Sequence, residues 1–583
     1  MKMQHGRSSL LMVLLLATVV LVVTVRVRII GDNGVAWQGA INSDGEGYVA
    51  YLNGLIIHGD LRSAEAAEQH FTPAGHRHVI QYYAGTALLQ APFFFIAHVV
   101  QSASGSVQDK GYELPYQLAI IVSSLFYFIL GLHFTRLTLS ALGLADRTVA
   151  LTLLIIALGT GLPYYAIISP AMSHVYGFAA IAWCMYEARR AWTDRPYAPE
   201  RLMLALAITL LIRPTHVLII PLLPVVAYGD GKRVLSWIRH QRPAPWFRAA
   251  LIGTAVLLIQ PLAWHAQCGQ WWVDPYATEG FHWLQPRIWS VLFGARKGLF
   301  FYWPLLLLLL PGIWFLFRNR KDTGLSFAIG LIVIIYLTST WWSWYYGHGY
   351  GMRPFLDLLP LMAVPIGLCI RYLPKRSMPA ASVAISVLVG LQVFQSWQYH
   401  VGIIHPFNMD REKYRMIFMN PSVEMSGRIG WANMASPYAP HGMEVLKTAH
   451  LKEPFTGRDT LHLDTAKAFS PAITLSAAEL PQGRTLWVDV SVERSASSIG
   501  ASNTVDMVYT LRHNGKDRAY GAFPLNDIRS DDDRPWRRWK HGFLIPAARS
   551  GEELVVYLWQ HGNGTVLIRD LNITISAVRE RPE

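Results

Sequence analysis

The sequence predicts a polytopic α-helical membrane protein, with about 11–13 transmembrane helices, that continues into a C-terminal all-β domain of the sandwich type. Of the 583 residues, 52% are hydrophobic and only 15% are charged, whereas a soluble protein carries charge on about a quarter of its residues. Apolar runs long enough to cross a bilayer recur from residue 9 to about residue 398. Runs that alternate between apolar and polar residues follow them, so a membrane body and a polar C-terminal part are expected.

The first element is the apolar run in MKMQHGRSSLLMVLLLATVVLVVTV. A cleavable signal peptide would end at a site with small residues, but VRVR follows this run. We therefore expect an uncleaved anchor that starts in the cytoplasm.

Basic residues cluster in short loops between the later apolar runs. The clusters are GKRVLSWIRHQR (231–242), RNRK (318–321) and RYLPKR (371–376). Such loops stay in the cytoplasm, so residues 271–276, residues 341–354 and the C-terminal part are expected on the periplasmic side.

The clusters also account for the net charge of +13. Since no nucleic-acid-binding motif accompanies this charge, nucleic acid is not expected as a partner. The three cysteines include no Cys-x-x-Cys pair, which supports neither a zinc site nor a disulfide framework.

Two apolar segments carry signals that break a helix. Residues 202–227 have basic flanks and IRPTH in the middle, where Pro214 ends a helix and Arg213 would be costly at mid-membrane depth. Residues 148–188 contain GTGLPYYAIISPAMSH (159–174). We expect each segment to form two shorter helices joined by an outer turn. Between residues 60 and 147 the number of spans is left open, since PFFFIAHVV (92–100) fits either a span or a shallow dip.

The domain boundaries follow from composition. We expect a membrane domain at 1–400 with a first periplasmic loop at 31–82, a polar linker at 401–460 and a β-sandwich at 461–583. The expected strands are TLWVDVSVE (485–493), VDMVYTLRH (505–513), ELVVYLWQ (553–560) and TVLIRDLNITI (565–575). Their role is open between binding of carbohydrate and simple packing.

The polar residues that this topology places on the outer face form one group of candidates. The group consists of the acids Asp44 and Glu46, with Tyr48, Arg77, Tyr82, Tyr165, His174, Arg213, His216, Arg296, Lys297, His348 and Arg353. A carboxylate can accept a proton from an attacking hydroxyl as a general base, and the glycines in DGEGY suit a flexible turn that approaches a substrate closely. Cationic side chains can hold a phosphate, and aromatic rings can contact sugars or an isoprenoid chain. The combination indicates transfer of a sugar from a lipid phosphate.

A series of segments also follows in a recognisable order. They are DGEGYVAYL, YYAGTALLQAPFF, GTGLPYYAIISPAMSH, LIRPTH, ARKGLFFYWPLLLLLLPG and YGHGYGMRPFLDLLP. Over about residues 10–400 the chain thereby resembles bacterial integral-membrane glycosyltransferases of the GT-C class, in the group of protein mannosyltransferases and lipid A aminoarabinose transferases.

The resemblance implies many transmembrane helices, a first outer loop with short surface helices, a polyprenyl-phosphate sugar donor and an inverting transfer on the periplasmic side. It implies Asp44 as the base, with Tyr48 beside it, while Glu46 competes because relatives often carry two adjacent acids. An Asp-x-Glu pair leaves a divalent cation (Mg²⁺ or Mn²⁺) open, although several relatives need none. Arg77 is a candidate to replace a lysine that the family often carries before Tyr-Pro.

The function expected from the sequence is a glycosyltransferase of the bacterial inner (cytoplasmic) membrane. It would move one hexose or pentose from a polyprenyl-phosphate donor to a glycan, lipid or protein acceptor. The alternatives are a lipid-linked polysaccharide polymerase or ligase, and a flippase or transporter of lipid-linked sugars. A transporter would show pseudo-symmetric halves and a charged site at mid-membrane, and the sequence shows no internal repeat.

Overall fold

A computed structural model of the chain describes residues 6–67, 70–105, 111–192, 198–227, 236–237, 239, 242–276, 279–407, 409, 411–423, 443–451, 460–481, 484, 486–495, 505–524, 536–545, 548–560 and 564–578. The chain divides into two units, Met1–Ser396 and Trp397–Glu583. The first unit is helical apart from one small hairpin, and the second carries the large β-sheets.

The helices are α1 (Arg7–Thr24), α2 (Gly31–Gly34), α3 (Asp44–Leu52), α4 (Gly85–Ala103), α5 (Leu114–Ala141), α6 (Asp146–Leu158), α7 (Leu162–Ile167), α8 (Ser173–Ala191), α9 (Ala198–Ile212), α10 (Pro243–Leu257), α11 (Ile259–Cys268), α12 (Ile288–Phe293), α13 (Leu299–Tyr302), α14 (Leu309–Asn319), α15 (Lys321–Thr340), α16 (Leu359–Tyr372), α17 (Met378–His400) and α18 (Arg411–Ile417). Turns of 3₁₀ helix occupy Ala36–Gly39, Leu61–Ser63, Pro214–Ala227, Pro304–Leu308, Arg353–Phe355 and Lys375–Ser377, and π-helical turns extend α1 and α3 over Val25–Ile29 and Asn53–Ile57.

Six helical stretches of the described chain are long and apolar enough to cross a membrane. They are Arg7–Ile29, Gly85–Ala103, Leu114–Ala141, Pro243–Cys268, Lys321–Thr340 and Lys375–His400. Shorter apolar helices lie at Pro214–Ala227, Pro304–Asn319 and Leu359–Tyr372. Large apolar side chains such as Leu11, Ile96 and Ile332 are each 63% exposed, as suits a surface that faces lipid rather than water. The chain is a polytopic helical membrane protein, as predicted. The count of about 11–13 spans stays a prediction, because several apolar segments form helices too short to cross alone.

The two predicted helix breaks are present. Helix α9 ends at Ile212, and the 3₁₀ helix begins at Pro214, so Arg213 lies at the junction. Helix α6 ends at Leu158 and α8 begins at Ser173, with the short α7 between them. Proline cannot donate a backbone hydrogen bond and clashes with the preceding turn, which is why these local signals could be recognised in the sequence.

The segment between α1 and α4 contains a hairpin that the sequence analysis did not predict. Strands β1 (Phe71–Ala74) and β2 (Arg77–Ile80) pair antiparallel, with Ala74 opposite Arg77. The hydroxyl of Thr72 donates to the carbonyl of Pro275 at 2.9 Å, and the amide of Ile80 donates to the side chain of Gln267 at 2.7 Å. These contacts hold the hairpin against the end of α11 and the loop after it.

The second unit is an antiparallel sandwich, as predicted. Its strands are β3 (Met443–Leu451), β4 (Thr460–Leu463), β5 (Ile473–Leu475), β6 (Leu486–Ser495), β7 (Val505–His513), β8 (Lys516–Pro524), β9 (Trp536–Ile545), β10 (Glu552–Gln560) and β11 (Val566–Val578). One sheet has the order β5-β10-β7-β8, and the other has the order β3-β11-β6-β9 with β4 also paired to β11. Alternate residues of both sheets, such as Val488, Val490, Leu554 and Val556, form one buried core. The four strands expected from the sequence correspond to β6, β7, β10 and β11.

Candidate active site

Asp44 is the first residue of helix α3, and the glycines that follow it let the helix pack closely. A Cβ on Gly45 would lie 2.4 Å from the Cβ of Ala171, and one on Gly47 would lie 2.2 Å from the ring of Tyr82. The expectation that DGEGY forms a flexible turn is therefore wrong. The glycines leave room for neighbouring side chains, and the packed helix fixes the direction of the Asp44 carboxylate.

Arg353 is the direct partner of Asp44. Its Nη1 lies 2.9 Å from Asp44 Oδ2, and only 12% of the arginine side chain and 21% of the aspartate side chain are exposed. Arg353 follows the glycine-rich YGHGYGM loop. Gly351 has a φ of +62°, and a Cβ there would lie 2.6 Å from the ring of Trp303, so both its backbone conformation and its surroundings require glycine. The loop thereby brings a late arginine onto the early acid.

Tyr82 connects the two acids of the DGEGY segment through a chain of polar contacts. Its hydroxyl lies 3.4 Å from Asp44 Oδ1 and 3.2 Å from His70 Nδ1. The other nitrogen of His70, Nε2, lies 3.6 Å from Glu46 Oε2. The hydroxyl of Tyr51 donates to the carbonyl of Tyr82 at 2.7 Å and keeps the tyrosine in place. Glu46 therefore supports His70 and Tyr82, and Asp44 contacts the arginine.

The arrangement does not fit a divalent cation held by Asp44 and Glu46 together. Residues two apart on a helix point to different sides, and the two carboxylates contact Arg353 and His70 respectively. Among the described residues, no group of three or more His, Cys, Asp or Glu side chains is placed to hold a metal ion. Asp44 and Glu46 therefore do not form a joint cation site.

Arg213 lies where α9 gives way to the 3₁₀ helix, and it faces the start of α8. Its Nη2 donates to the hydroxyl of Ser173 at 2.6 Å and lies 3.5 Å from His174 Nε2. Ser173 and His174 are buried, whereas 23% of the Arg213 side chain is exposed. The proline break thus places the Arg213 guanidinium between the end of α9, the start of the 3₁₀ helix and the start of α8, and part of the arginine side chain stays exposed.

Asp357 is a buried acid that the sequence analysis missed. Its Oδ1 lies 2.8 Å from His174 Nδ1, its Oδ2 lies 2.9 Å from His216 Nε2, and Arg213 Nη1 lies 3.9 Å from the same Oδ2. Its side chain has no exposed surface. The only local signal was an acid directly before the apolar run of α16, inside the quoted segment YGHGYGMRPFLDLLP.

The remaining candidates divide into those near this cluster and those apart from it. Tyr48 packs on Tyr82 with ring centroids 5.0 Å apart, and the Tyr165 ring lies 5.0 Å from that of His174. The buried Lys297 donates to the carbonyl of Gly349, in the loop that carries Arg353. The exposed His348 belongs to the same loop.

Two predicted cations are placed differently from the rest. Arg296 lies over the ring of Tyr345, with its Cζ 3.5 Å from the ring centroid, so its flat face is used in packing. Arg77 is exposed at the start of β2, and its charge acts on Asp60. The structure therefore does not bring Arg77 to the Asp44 carboxylate.

The charges of the cluster set the protonation of its acids. Burial opposes ionisation of Asp44, but the charges of Arg353 and Arg213 outweigh it and hold the pKa of Asp44 below its ordinary value. Burial also opposes ionisation of Asp357, yet His174 and Arg213 hold the pKa of Asp357 well below its ordinary range. Burial, together with the charges of Arg353 and Arg296, lowers the pKa of Lys297 well below its ordinary value. Both aspartates are therefore carboxylates at neutral pH.

An apolar cavity of about 450 Å³ lies elsewhere in the membrane unit. It is enclosed by the Pro304–Leu308 turn and helices α14, α16 and α17, and its lining includes Leu308, Phe315 and Leu388. None of the residues that line this cavity is charged.

No family model matches the sequence, and no curated protein matches it. Among solved structures, the chain is similar to ArnT from Cupriavidus metallidurans bound to undecaprenyl phosphate, with 13% identity over 64% of this chain and 63% of that one and a TM-score of 0.41. It is also similar to the archaeal oligosaccharyltransferase AglB from Archaeoglobus fulgidus in complex with an inhibitory peptide and a dolichol-phosphate, with 12% identity over 73% of this chain and 61% of that one and a TM-score of 0.37.

The chain spans less than two thirds of the length of ArnT and of AglB. A third match is the CBM22-1 xylan-binding domain of Paenibacillus barcinonensis Xyn10C, with 16% identity over 25% of this chain and 86% of that one and a TM-score of 0.15.

Proposed function

We propose that the chain is a membrane glycosyltransferase that moves one sugar from a polyprenyl-phosphate donor to a hydroxyl of a glycan, lipid or protein acceptor. The observation that carries the proposal is the convergence on one site of a carboxylate, Asp44, and two partly exposed guanidinium groups, those of Arg353 and Arg213. A base and a set of anion-binding groups are the two parts that such a transfer requires.

In the proposed reaction, the oxygen of the acceptor hydroxyl forms a bond to the anomeric carbon of the donor sugar, and Asp44 accepts the proton that this hydroxyl loses. The bond between that carbon and the phosphate oxygen breaks, and the polyprenyl phosphate leaves with the electron pair. Arg353 and Arg213 stabilise the additional negative charge on the leaving phosphate. The buried side chains of Tyr48 and Tyr165 border the same site, where they pack on Tyr82 and His174 and hold these two residues in place.

The helical setting supports a donor that is carried by a lipid. Arg213 and Arg353 precede the apolar helices Pro214–Ala227 and Leu359–Tyr372 respectively. The phosphate of a polyprenyl phosphate would thus contact the two arginines, and its apolar chain would contact the apolar helices that follow them. We further propose the bacterial inner membrane as the location, the periplasmic face as the side of the site, and domains at 1–400, 401–460 and 461–583.

Mass spectrometry of envelope glycans and glycolipids tests this function. Three strains are compared: a deletion, the deletion complemented with the wild-type chain, and the deletion complemented with Asp44→Asn at a matched protein level. We expect one glycan to lose a single sugar in the deletion and in the Asp44→Asn strain alike, and the mass difference then gives the class of sugar. An unchanged glycan profile in the deletion would contradict transfer, and full restoration by Asp44→Asn would remove Asp44 as the base.

A further inference from the structure

We propose that Asp357 is a positioning residue that directs Arg213 toward the phosphate of the donor, an inference that rests on the proposed function. Asp357 itself is fully buried and reaches no open surface, whereas 23% of the Arg213 side chain is exposed. Any effect of Asp357 on a bound substrate must therefore pass through its neighbours.

The contacts lead from Asp357 to Arg213 by two routes. The direct route is the charge contact of 3.9 Å between Oδ2 and Arg213 Nη1. The second route runs through His174, whose Nδ1 lies 2.8 Å from Asp357 Oδ1 and whose Nε2 lies 3.5 Å from Arg213 Nη2. Because Arg213 is a donor only, Nε2 faces it as the acceptor, and Nδ1 carries the proton that His174 donates to Asp357. The carboxylate thus fixes the tautomer of His174 that receives the guanidinium.

His216 is the second close partner of Asp357. Its Nε2 lies 2.9 Å from Asp357 Oδ2, and its Nδ1 lies 2.9 Å from the carbonyl of Thr209. These two contacts hold the His216 ring beside the carboxylate. His216 thereby occupies Asp357 Oδ2 at close range, while Arg213 lies farther from the same oxygen, at 3.9 Å, and keeps part of its surface open to an anion.

The surrounding helices leave room for an aspartate at this place. A Cβ on Gly177 of α8 would lie 2.7 Å from Asp357 Oδ2, so glycine at that position lets the carboxylate reach His174 and His216. The three groups come from α8, the 3₁₀ helix after α9 and the turn before α16. Asp357 therefore connects α8 to the 3₁₀ helix, close to the junction after α9 where Arg213 lies.

The test measures binding of undecaprenyl monophosphate and of the uncharged alcohol undecaprenol to the purified full chain in detergent. In Asp357→Asn, we expect affinity for the monophosphate to fall about tenfold to hundredfold, since hydrogen bonds to charged groups are the strong ones. Affinity for the alcohol should change by less than about twofold, because only a charged head group uses Arg213. General damage to the fold would weaken both ligands equally and would overturn the proposal.

A double-mutant cycle tests whether Asp357 acts through Arg213. In the Arg213→Ala background, Asp357→Asn should have no further effect on phosphate affinity, whereas independent effects that add would contradict the proposal. The matched control is Glu200→Gln, which removes another buried carboxylate paired with an arginine, Arg248, at 2.8 Å. It should leave both affinities unchanged. If the wild-type chain does not bind the monophosphate, the proposed function fails; if it binds and Asp357→Asn binds equally well, only the role of Asp357 fails.

Discussion

Arg353 Nη1 and Asp44 Oδ2 lie 2.9 Å apart, so a guanidinium of the site is paired with the carboxylate proposed as its base. The pair keeps Asp44 ionised, but it also weakens the carboxylate as a proton acceptor. A donor phosphate attracts the same guanidinium. Its binding should therefore draw Arg353 away from Asp44 and strengthen the base at the moment when the donor is present.

Replacing Asp44 by asparagine should reduce transfer by about 10²–10⁴-fold, the usual contribution of a general base. The change is nearly isosteric and keeps an acceptor for Tyr82, so the protein should remain folded. Transfer is measured with purified protein and a labelled donor. Glu46→Gln is the comparison, and it should lose at most about tenfold because Glu46 contacts His70 rather than Arg353. A larger loss in Glu46→Gln than in Asp44→Asn would make Glu46 the base.

The pH dependence of transfer should show the effect of the Asp44–Arg353 ion pair on the pKa of Asp44. Because the pKa of Asp44 is lowered, the wild-type rate should be level at neutral pH and fall only below the ordinary range of an aspartate. In Arg353→Gln the largest of the charges that lower the pKa of Asp44 is lost while burial still raises it, so the acid limb should move to higher pH. The profile of kcat/KM, scaled to the maximum of each variant, measures this shift.

Arg62→Gln serves as the control for the pH profile. Arg62 is an exposed arginine that also contacts a carboxylate, that of Asp60, at 3.0 Å. Its removal should leave the acid limb of transfer in place. An Arg353→Gln profile with an unmoved acid limb, or with a limb displaced to lower pH, would show that Arg353 does not set the pKa of Asp44.

Gly47→Ala should destabilise the protein, because its Cβ would lie 2.2 Å from the ring of Tyr82. Overpacking of this kind costs about 1–3 kcal/mol, and thermal unfolding in detergent measures it. The matched control is Gly390→Ala in α17, where a Cβ would meet nothing within 4 Å. That change should keep or raise the Tm, because alanine favours a helix. Equal Tm values for the two variants would contradict close packing of α3 on Tyr82.

Tyr82→Phe should lower kcat about threefold to tenfold with little change in the KM for the donor, as expected from the loss of one hydrogen bond to the base. The matched control is Tyr83→Phe. Its ring packs on Trp264 at 6.0 Å, so removal of its hydroxyl should not affect transfer. Steady-state kinetics of both variants decide the question, and an equal response would exclude a specific role for the Tyr82 hydroxyl.

The parts of the fold that the sequence could predict are those with local signals. Pro214 marks the end of α9 because proline breaks a helix wherever it stands. Strands β6, β7, β10 and β11 could be located because apolar residues alternate along them. Strands β1 and β2 are short and contain polar residues on both faces, so they show no clear period.

The site was predictable only in part. The acid of α3 and the arginines at 213 and 353 were recognisable because charged residues are rare beside apolar helices. Asp357 was missed since its partners, His174 and His216, are 183 and 141 residues away in sequence. The glycines of DGEGY were misinterpreted for a related reason. Whether a glycine provides flexibility or close packing depends on the residue that faces it, and Ala171 and Tyr82 lie far along the chain.

The contacts of Asp357 with His174 and His216 have a consequence for the synthesis of the protein. Translation proceeds from the N-terminus, so the two histidines enter the membrane environment long before the carboxylate that pairs with them. Until α16 is inserted, their polar groups must be satisfied by water or lipid head groups. The contacts of Asp357 with the two histidines therefore form late in synthesis, and a chain that ends before Asp357 leaves both histidines without this partner.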